Sequence, residues 1–548
     1  MNTRFKPLAL LLVAAITGAI CFYQSNAGAQ TEAQSDAMTN SGAAMEYDVV
    51  VVGAGMGGLS AGAHLAVKGM KVLVLEQNHK VGGCTTSFSR GEFNFDAALH
   101  EMAAGGPGTS LGKLLEAVGV DKKIELIRIP ELYRTIAPGV DFTYSADYDT
   151  AVKDLSEKWP AEKEGIVAFH KEMDKLHTQM RGLQTFFRAG AFKKIGLLMM
   201  APFRQPKYIR YRNAILDDVL DNYFQDEALK TVISQYWVYY GPPPSKLWAP
   251  IFMLANITYL REGAWHIKGS SQALSNAYAE RIRELGGTVK TGALVTKILV
   301  ADGKARGVET QDGETYKARY VVSNADPFQT SFKLVGEEKF PKSWNKKIRS
   351  MKPSNSLFGV YLGLDVPPSH WGVKDHEIFY NGSLDPDVNF QRMMDGEFDK
   401  GAASITFYTN LGDPFYSPEG KSVLVLHAFS KADLWPKERK AYLKMKEEAA
   451  DKLIALTENF LPGLRNHIEV KEIITPLTLE EFTMSKDGIP YGWDFIPEQN
   501  VEKRLMNDTP IEGLYLAGSW ASPGHGVSTA QISGWQAACL ILDREGIE

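Results

Sequence analysis

The chain has 548 residues, 44% of them hydrophobic, enough for a large buried core and for two or more domains. Lys plus Arg number 60 against 65 for Asp plus Glu, a net charge of -5, so no whole-chain basic field argues for a nucleic-acid partner. The three cysteines support neither a disulfide framework nor a cysteine metal site. His64, His79, His266 and His525 are scattered without metal-ligand spacing, so each reads as a surface or packed histidine and no metal is expected.

At the N-terminus Arg4 and Lys6 precede an apolar run from Pro7 to Phe22 and then Ala27-Gly28-Ala29. That is the layout of a signal peptide over residues 1–29, followed by a loose linker at 30–45, and it predicts export to a periplasm or secretory lumen. An uncleaved anchor is the alternative, because the run is long for a signal core and short for a membrane span.

The stretch from Tyr47 to Gly62, followed by Lys71-Val-Leu-Val-Leu-Glu76, reads as strand, phosphate turn, helix, strand. Val49 to Val52 suit a parallel strand buried on both faces. Gly53, Gly55 and Gly58 fill the places of G-x-G-x-x-G, and Gly57 adds a further small residue. The first allows the tight turn, the second a close backbone approach to a pyrophosphate, and the third close helix–strand packing. Glu76 follows eighteen residues after Gly58, where an acid is placed to hydrogen-bond a ribose. With 49 glycines in the chain, about 0.4 chance matches to the bare motif are expected, so the weight lies in its strand–helix–strand–acid context.

Next come Val81-Gly82-Gly83-Cys84 and Phe93-Asn94-Phe95-Asp96-Ala97-Ala98-Leu99-His100. The order of G-x-G-x-x-G, acid, Gly-Gly and Phe-x-Phe-Asp resembles the FAD-dependent phytoene desaturase, carotenoid isomerase and retinol saturase group, relatives of the flavin amine oxidases. Cys84 stands where desaturases and amine oxidases carry Arg, and looks more like the retinol saturase version. Ala98 replaces the Gly of that branch's Phe-Asp-x-Gly-x-His, which puts the local backbone in question.

Residues 111–262 alternate amphipathic helical patterns with aromatic patches and read as a substrate or cap domain. Within it, residues 181–212 hold eight basic and no acidic side chains among Phe186, Phe187, Phe192 and several Leu and Met. Such a stretch suits peripheral contact with an anionic membrane. A core-facing helix with a solvated basic back is the alternative, since Pro202 and Pro206 interrupt any long helix. Gly269-Ser270-Ser271 reads as a capped helix start and is similar to the Gly-Gly-Ser-Ser phrase of retinol saturases and carotenoid isomerases. A hairpin with its turn at Asp302-Gly303 then fits a small antiparallel layer beside the nucleotide sheet, and Val295 sits where such flavoproteins touch adenine through the backbone. Tyr320 to Ala325 resembles the next sheet strand. The chain closes with a strand leading to Gly518, then Pro523-Gly524-His525-Gly526-Val527 and a helix, which resembles the family's C-terminal FAD segment.

The resemblance implies an α/β fold: a discontinuous Rossmann-type FAD-binding domain at 46–110, 263–330 and 511–548, with an inserted α+β substrate domain at 111–262 and 331–510. It implies FAD as cofactor, held by Gly53, Gly55, Gly57, Gly58, Glu76, Gly82, Gly83, Cys84, Val295, Gly518, Gly526 and Val527. The expected function is an FAD-dependent oxidoreductase acting on carbon–carbon bonds of a polyene or isoprenoid lipid, as desaturase, saturase or cis–trans isomerase. An amine-oxidase-like enzyme and a non-catalytic lipid carrier are the alternatives. No second nucleotide motif is present for NAD(P)H, and no catalytic side chain can be named from the sequence.

Overall fold

A computed structural model describes residues 46–180 and 205–547. The signal-peptide and linker expectations, and most of the basic stretch at 181–212, lie outside the described residues. Among the described residues no helix is long and apolar enough to cross a membrane.

Seven strands from distant parts of the chain meet in one sheet, six of which run in the order Thr288–Lys290, Val72–Leu75, Tyr47–Val52, Thr315–Ser323, Lys304–Thr310, Val295–Ala301. Leu514–Leu516 pairs with the far end of Thr315–Ser323. The pairings among the first four strands and Leu514–Leu516 are parallel. Val49 to Val52 and Val72 to Leu75 are buried, as apolar runs covered on both faces must be. The hairpin turns at Asp302 and Gly303, both at positive φ, and the long strand Thr315–Ser323 splices it into the parallel sheet instead of leaving it as a separate layer. The chain is thus mixed α/β, with a Rossmann-like first sheet.

The second sheet is mostly antiparallel, in the order Ile468–Ile474, Ser356–Leu364, Ser422–Ser430, Ala402–Thr406, Glu377–Asn381, Glu131–Ala137, Val140–Ser145. Every residue of Ser356–Leu364 and Ser422–Ser430 is buried, and helix Arg439–Glu458 packs against this sheet. The helical reading of 111–262 misses two of its strands. Leu132, Tyr133, Thr135 and Ala137 face the core, and Gly139, at φ +79°, closes the turn that makes Glu131–Ala137 and Val140–Ser145 a hairpin.

The start of helix Ser271–Glu284 also differs from the sequence expectation. Ser270 occupies the cap position at φ +80° but its side chain caps nothing. Instead Asp96 reaches across from the Phe-x-Phe-Asp hairpin and accepts the Ser271 N–H at 3.0 Å and the Ser271 hydroxyl. Two motifs 175 residues apart are therefore the two halves of one cap. The replacement of Gly by Ala98 costs nothing, because Ala98 is absent from the residues at positive φ.

Helices Met56–Val67 and Val527–Glu545 lie against one another through small residues. A Cβ at Gly534 would strike the Gly57 carbonyl oxygen and come within 2.8 Å of Ala61 N, both backbone atoms of the facing helix. Gly534→Ala is expected to destabilise the protein by about 1–3 kcal/mol in urea unfolding, the reverse of the roughly 1 kcal/mol gain that Gly→Ala brings in an unobstructed helix. A stabilised variant would show that the helices separate freely.

Candidate functional site

Two cavities adjoin at the carboxyl ends of the parallel strands, where open α/β sheets bind ligands. The first, about 280 Å³, takes in Gly53, Gly55, Gly57, Glu76, Gly82, Gly83, Cys84, Val295, Gly518, Gly526 and Val527. All of the sequence-predicted binding residues except Gly58 therefore line one space. Gly58 lies just behind, its N–H donating to Asn324 Oδ1 at 3.1 Å.

The cradle is built by close approach. Gly53 turns the chain at φ +90°, and a Cβ on Gly58 would meet Val51 Cγ1 at 3.0 Å, so these two glycines serve the turn and the packing assigned to them. Gly55 is required by something further. A Cβ there would sit 2.5 Å from Asn324 Nδ2, and one on Gly518 would sit 2.5 Å from Asn324 Oδ1. Asn324 is thus the residue around which the phosphate turn and the C-terminal segment close. The sequence reading placed it within the strand Tyr320 to Ala325, whereas the strand ends at Ser323 and Asn324 turns out to be a filler.

Helices Met56–Val67 and Val527–Glu545 begin at this cavity, with Gly55 and Gly526 as caps, no side-chain cap and no acid in either first turn. Two such helix starts offer N–H groups and positive dipole ends to an anion such as a pyrophosphate. The Gly82–Cys84 loop is held from behind by helix Ser271–Glu284, where Gln272 Nε2 donates to Val81 O at 2.9 Å and Ser275 Oγ to Thr85 O at 2.6 Å. Burial pushes the Cys84 thiol up to about 11, so it stays protonated near neutral pH and acts as wall, not nucleophile.

Glu76 does more than await a ribose. Its Oε2 accepts the Ala54 N–H at 2.7 Å, and its Oε1 accepts from the Asn78 N–H at 2.9 Å and Asn78 Nδ2 at 3.1 Å. The acid pins the phosphate turn to the end of strand Val72–Leu75. Burial raises its carboxyl pKa, and these hydrogen bonds oppose the shift.

The second cavity, about 360 Å³, shares Ala98, Leu99, Leu357, Tyr491, Gly526 and Val527 with the first. Aromatic and aliphatic side chains from both the helical region and the second sheet enclose it, and among the described residues no lysine or arginine lines it. Its polar groups are mostly tied to one another. His100 Nδ1 lies 3.0 Å from Glu377 Oε2, and His100 Nε2 lies 3.0 Å from His427 Nδ1. His427 Nε2 meets the Tyr361 hydroxyl at 3.0 Å, and Tyr361 donates to Ala97 O at 2.5 Å. Burial, with His100 adding to it, pushes His427 well below the usual histidine range, so it is neutral. His525 is packed between Tyr491 and Phe495, and burial brings its pKa down to about 3. It lines the second cavity, so the reading of it as a merely packed histidine is incomplete. His100, Glu101, Glu377 and His427 lie far apart in sequence apart from the first pair, and only the second sheet brings them together.

Glu76→Ala leaves two backbone N–H groups without their acceptor. It is therefore expected to cost about 1–3 kcal/mol of stability in the ligand-free protein, by urea unfolding, beyond any loss of a ribose contact. Unchanged stability would mean that the carboxylate serves only a ligand.

Residues 56–542 match the family described as flavin containing amine oxidoreductase. Prolycopene isomerase 1, chloroplastic, of an Oncidium hybrid cultivar is 29% identical over 524 residues, covering 92% of this chain and 85% of its own. The lycopene-forming phytoene desaturase of Pseudescherichia vulneris is 25% identical over 515 residues, covering 90% and 99%. Among solved structures, wild-type putrescine oxidase bound to putrescine aligns with a TM-score of 0.61 at 18% identity, over 91% of this chain and 99% of that one, a likeness of fold alone. With a family match over residues 56–542, most of the chain, this chain belongs to the flavin containing amine oxidoreductases and is a flavin-dependent oxidoreductase.

Proposed function

We propose that the flavin is FAD and that the enzyme acts on a carbon–carbon bond of a polyene or isoprenoid lipid, by desaturation, saturation or cis–trans isomerisation. The observation that carries this reading is the largely apolar cavity of about 360 Å³, lined by no lysine or arginine among the described residues, that opens onto the nucleotide cradle. The relatives named prolycopene isomerase and phytoene desaturase support it.

The cradle fits the whole dinucleotide. Val295 and Glu76 would take the adenosine end, Gly53 to Gly58 with the two helix starts the pyrophosphate, and Gly518, Gly526 and Val527 the ribityl side. When bound, the flavin would supply the electron chemistry; the chain's own part is to orient the substrate and exclude water.

The purified protein should carry an FAD absorbance band. Under anaerobic conditions phytoene should bleach that band, or prolycopene should be converted to an isomer. Bleaching by putrescine with both polyenes inert would contradict the reading.

The same reading includes an exported protein that takes its substrate from an anionic membrane through residues 181–212, whose eight basic side chains would each add up to about 1 kcal/mol near such a surface. The chain starting at Gln30 should float with anionic liposomes at low salt and be released at high salt. Flotation lost only when residues 1–29 are removed would place the contact in the leader instead.

A further inference from the structure

We propose that Glu101 is a catalytic acid of this site, its Oε2 lending a proton to a carbon of the bound polyene and taking one back, so that a C=C bond is isomerised. The proposal rests on the polyene reading above and names the group on this chain that moves a proton for it.

Glu101 is 5% exposed and lines the second cavity, three residues beyond Ala98, which lines both cavities. Its two oxygens differ. Oε1 accepts the hydroxyl of Tyr236, a residue buried completely, while Oε2 is buried and has no hydrogen-bond partner among the described residues. A buried carboxyl oxygen left unpaired in an apolar cavity is costly unless it is protonated or meets a ligand. With the Tyr236 hydroxyl donating to Oε1, the carboxyl proton belongs on Oε2. Burial first, and the Glu377 charge in addition, raise the Glu101 pKa well above the carboxylate range, and the Tyr236 hydrogen bond only partly offsets this. Burial thus favours the neutral, protonated form of this group.

The neighbouring polar side chains do not compete for this role. Both ring nitrogens of His100 are engaged, by Glu377 and His427, and both of His427 by His100 and Tyr361. Gln235 Nε2 and Ser404 Oγ also line the cavity side of the second sheet without partners, but an amide and an aliphatic hydroxyl are not acids near neutral pH. Glu377 Oε1 and His525 Nδ1 are likewise buried without partners, but Glu377 does not line the cavity and burial holds His525 unprotonated, so among the described residues Glu101 is the carboxyl that lines it with an unengaged oxygen.

The step balances without a redox partner. The Oε2–H bond breaks and the π pair of a C=C bond forms the new C–H bond, leaving a positive charge delocalised along the remaining conjugation and a carboxylate on Glu101. The former double bond, now single, rotates. The pair of the protonated carbon's other C–H bond then restores the π bond and its proton passes to Oε2, so the proton delivered first stays on carbon. The carboxylate is stabilised meanwhile by Tyr236, and the cation by the rings of Tyr239, Tyr259, Phe379 and Phe429, whose π faces attract positive charge.

Three readouts test this on the flavin-loaded protein. Infrared spectra at pH 7 should contain a deuterium-sensitive protonated-carboxyl band that is absent in Glu101→Gln, a variant that keeps an acceptor for Tyr236. In D2O, wild type acting on prolycopene should place deuterium on carbon in the isomerised product. Glu101→Gln should retain flavin and bind prolycopene, yet isomerise it at least about a hundredfold more slowly and without deuterium uptake, with Glu101→Asp partly restoring both. A merely structural glutamate would leave the product free of deuterium in wild type. Turnover by wild type without deuterium on carbon, an unchanged rate in Glu101→Gln, or no band difference overturns the role of Glu101 alone. A wild type inert to prolycopene and phytoene overturns the polyene reading and the proton transfer with it.

Discussion

The structure depends on keeping side chains away from one amide. Asn324 follows the buried strand Thr315–Ser323, and positions 55, 57, 58 and 518 approach it so closely that a Cβ there would come within 3.2 Å of it, while Gly53 is required by its φ of +90°. The Gly58 N–H, which would otherwise be an orphan of the helix start, is satisfied by Asn324 Oδ1. This contact joins the phosphate turn near the N-terminus, the middle of the chain and the C-terminal segment at one point. The same glycines leave the cradle open on its other side, so one steric requirement both locks the fold and shapes the nucleotide site. A further wall of the cradle is the Gly82–Cys84 loop, clamped by Gln272 and Ser275.

From that point outward the two sheets divide the work. The parallel sheet supplies strand ends, helix starts and an acid that ties them together, all features of a site for an extended anion. The second sheet, with strands Ser356–Leu364 and Ser422–Ser430 buried throughout, supplies a wall of apolar side chains and a self-contained chain of polar ones from Glu377 through His100 and His427 to Tyr361. Such a buried network is tolerable because its members largely satisfy one another, with Glu377 Oε1 left unpaired. It fixes the wall of the second cavity, and Glu101 is the acid that lines the cavity with an unpaired oxygen.

Local patterns told most about the first sheet. The valine run, G-x-G-x-x-G, the acid after the second strand and the Asp-Gly hairpin each act over a few residues, so each was readable in chain order. Where the sequence misled or fell silent, the cause is a partner distant in the chain. Ser270 looked like a cap because Ser often is one, but Asp96 supplies the cap from 175 residues away. The hairpin at 131–145 was hidden by its helical surroundings, and its alternation becomes meaningful only against Glu377–Asn381. Glu76 was legible as an acid at the right spacing, yet its bond to Ala54 N–H could not be inferred from spacing. The second cavity was illegible altogether, since its His and Glu residues come from segments around 100, 377 and 427 that share no motif.

The central claim is that one flavin dinucleotide spans the glycine cradle and presents its ring where the two cavities meet. An experimental structure of the flavin-loaded protein tests it most directly. The account predicts the adenine beside Val295, the ribose at Glu76, the pyrophosphate between the starts of helices Met56–Val67 and Val527–Glu545, and the ring edge at Ala98, Leu99 and Tyr491 facing the second cavity. A nucleotide bound away from Gly55 and Gly526, or a ring walled off from the second cavity, would contradict it.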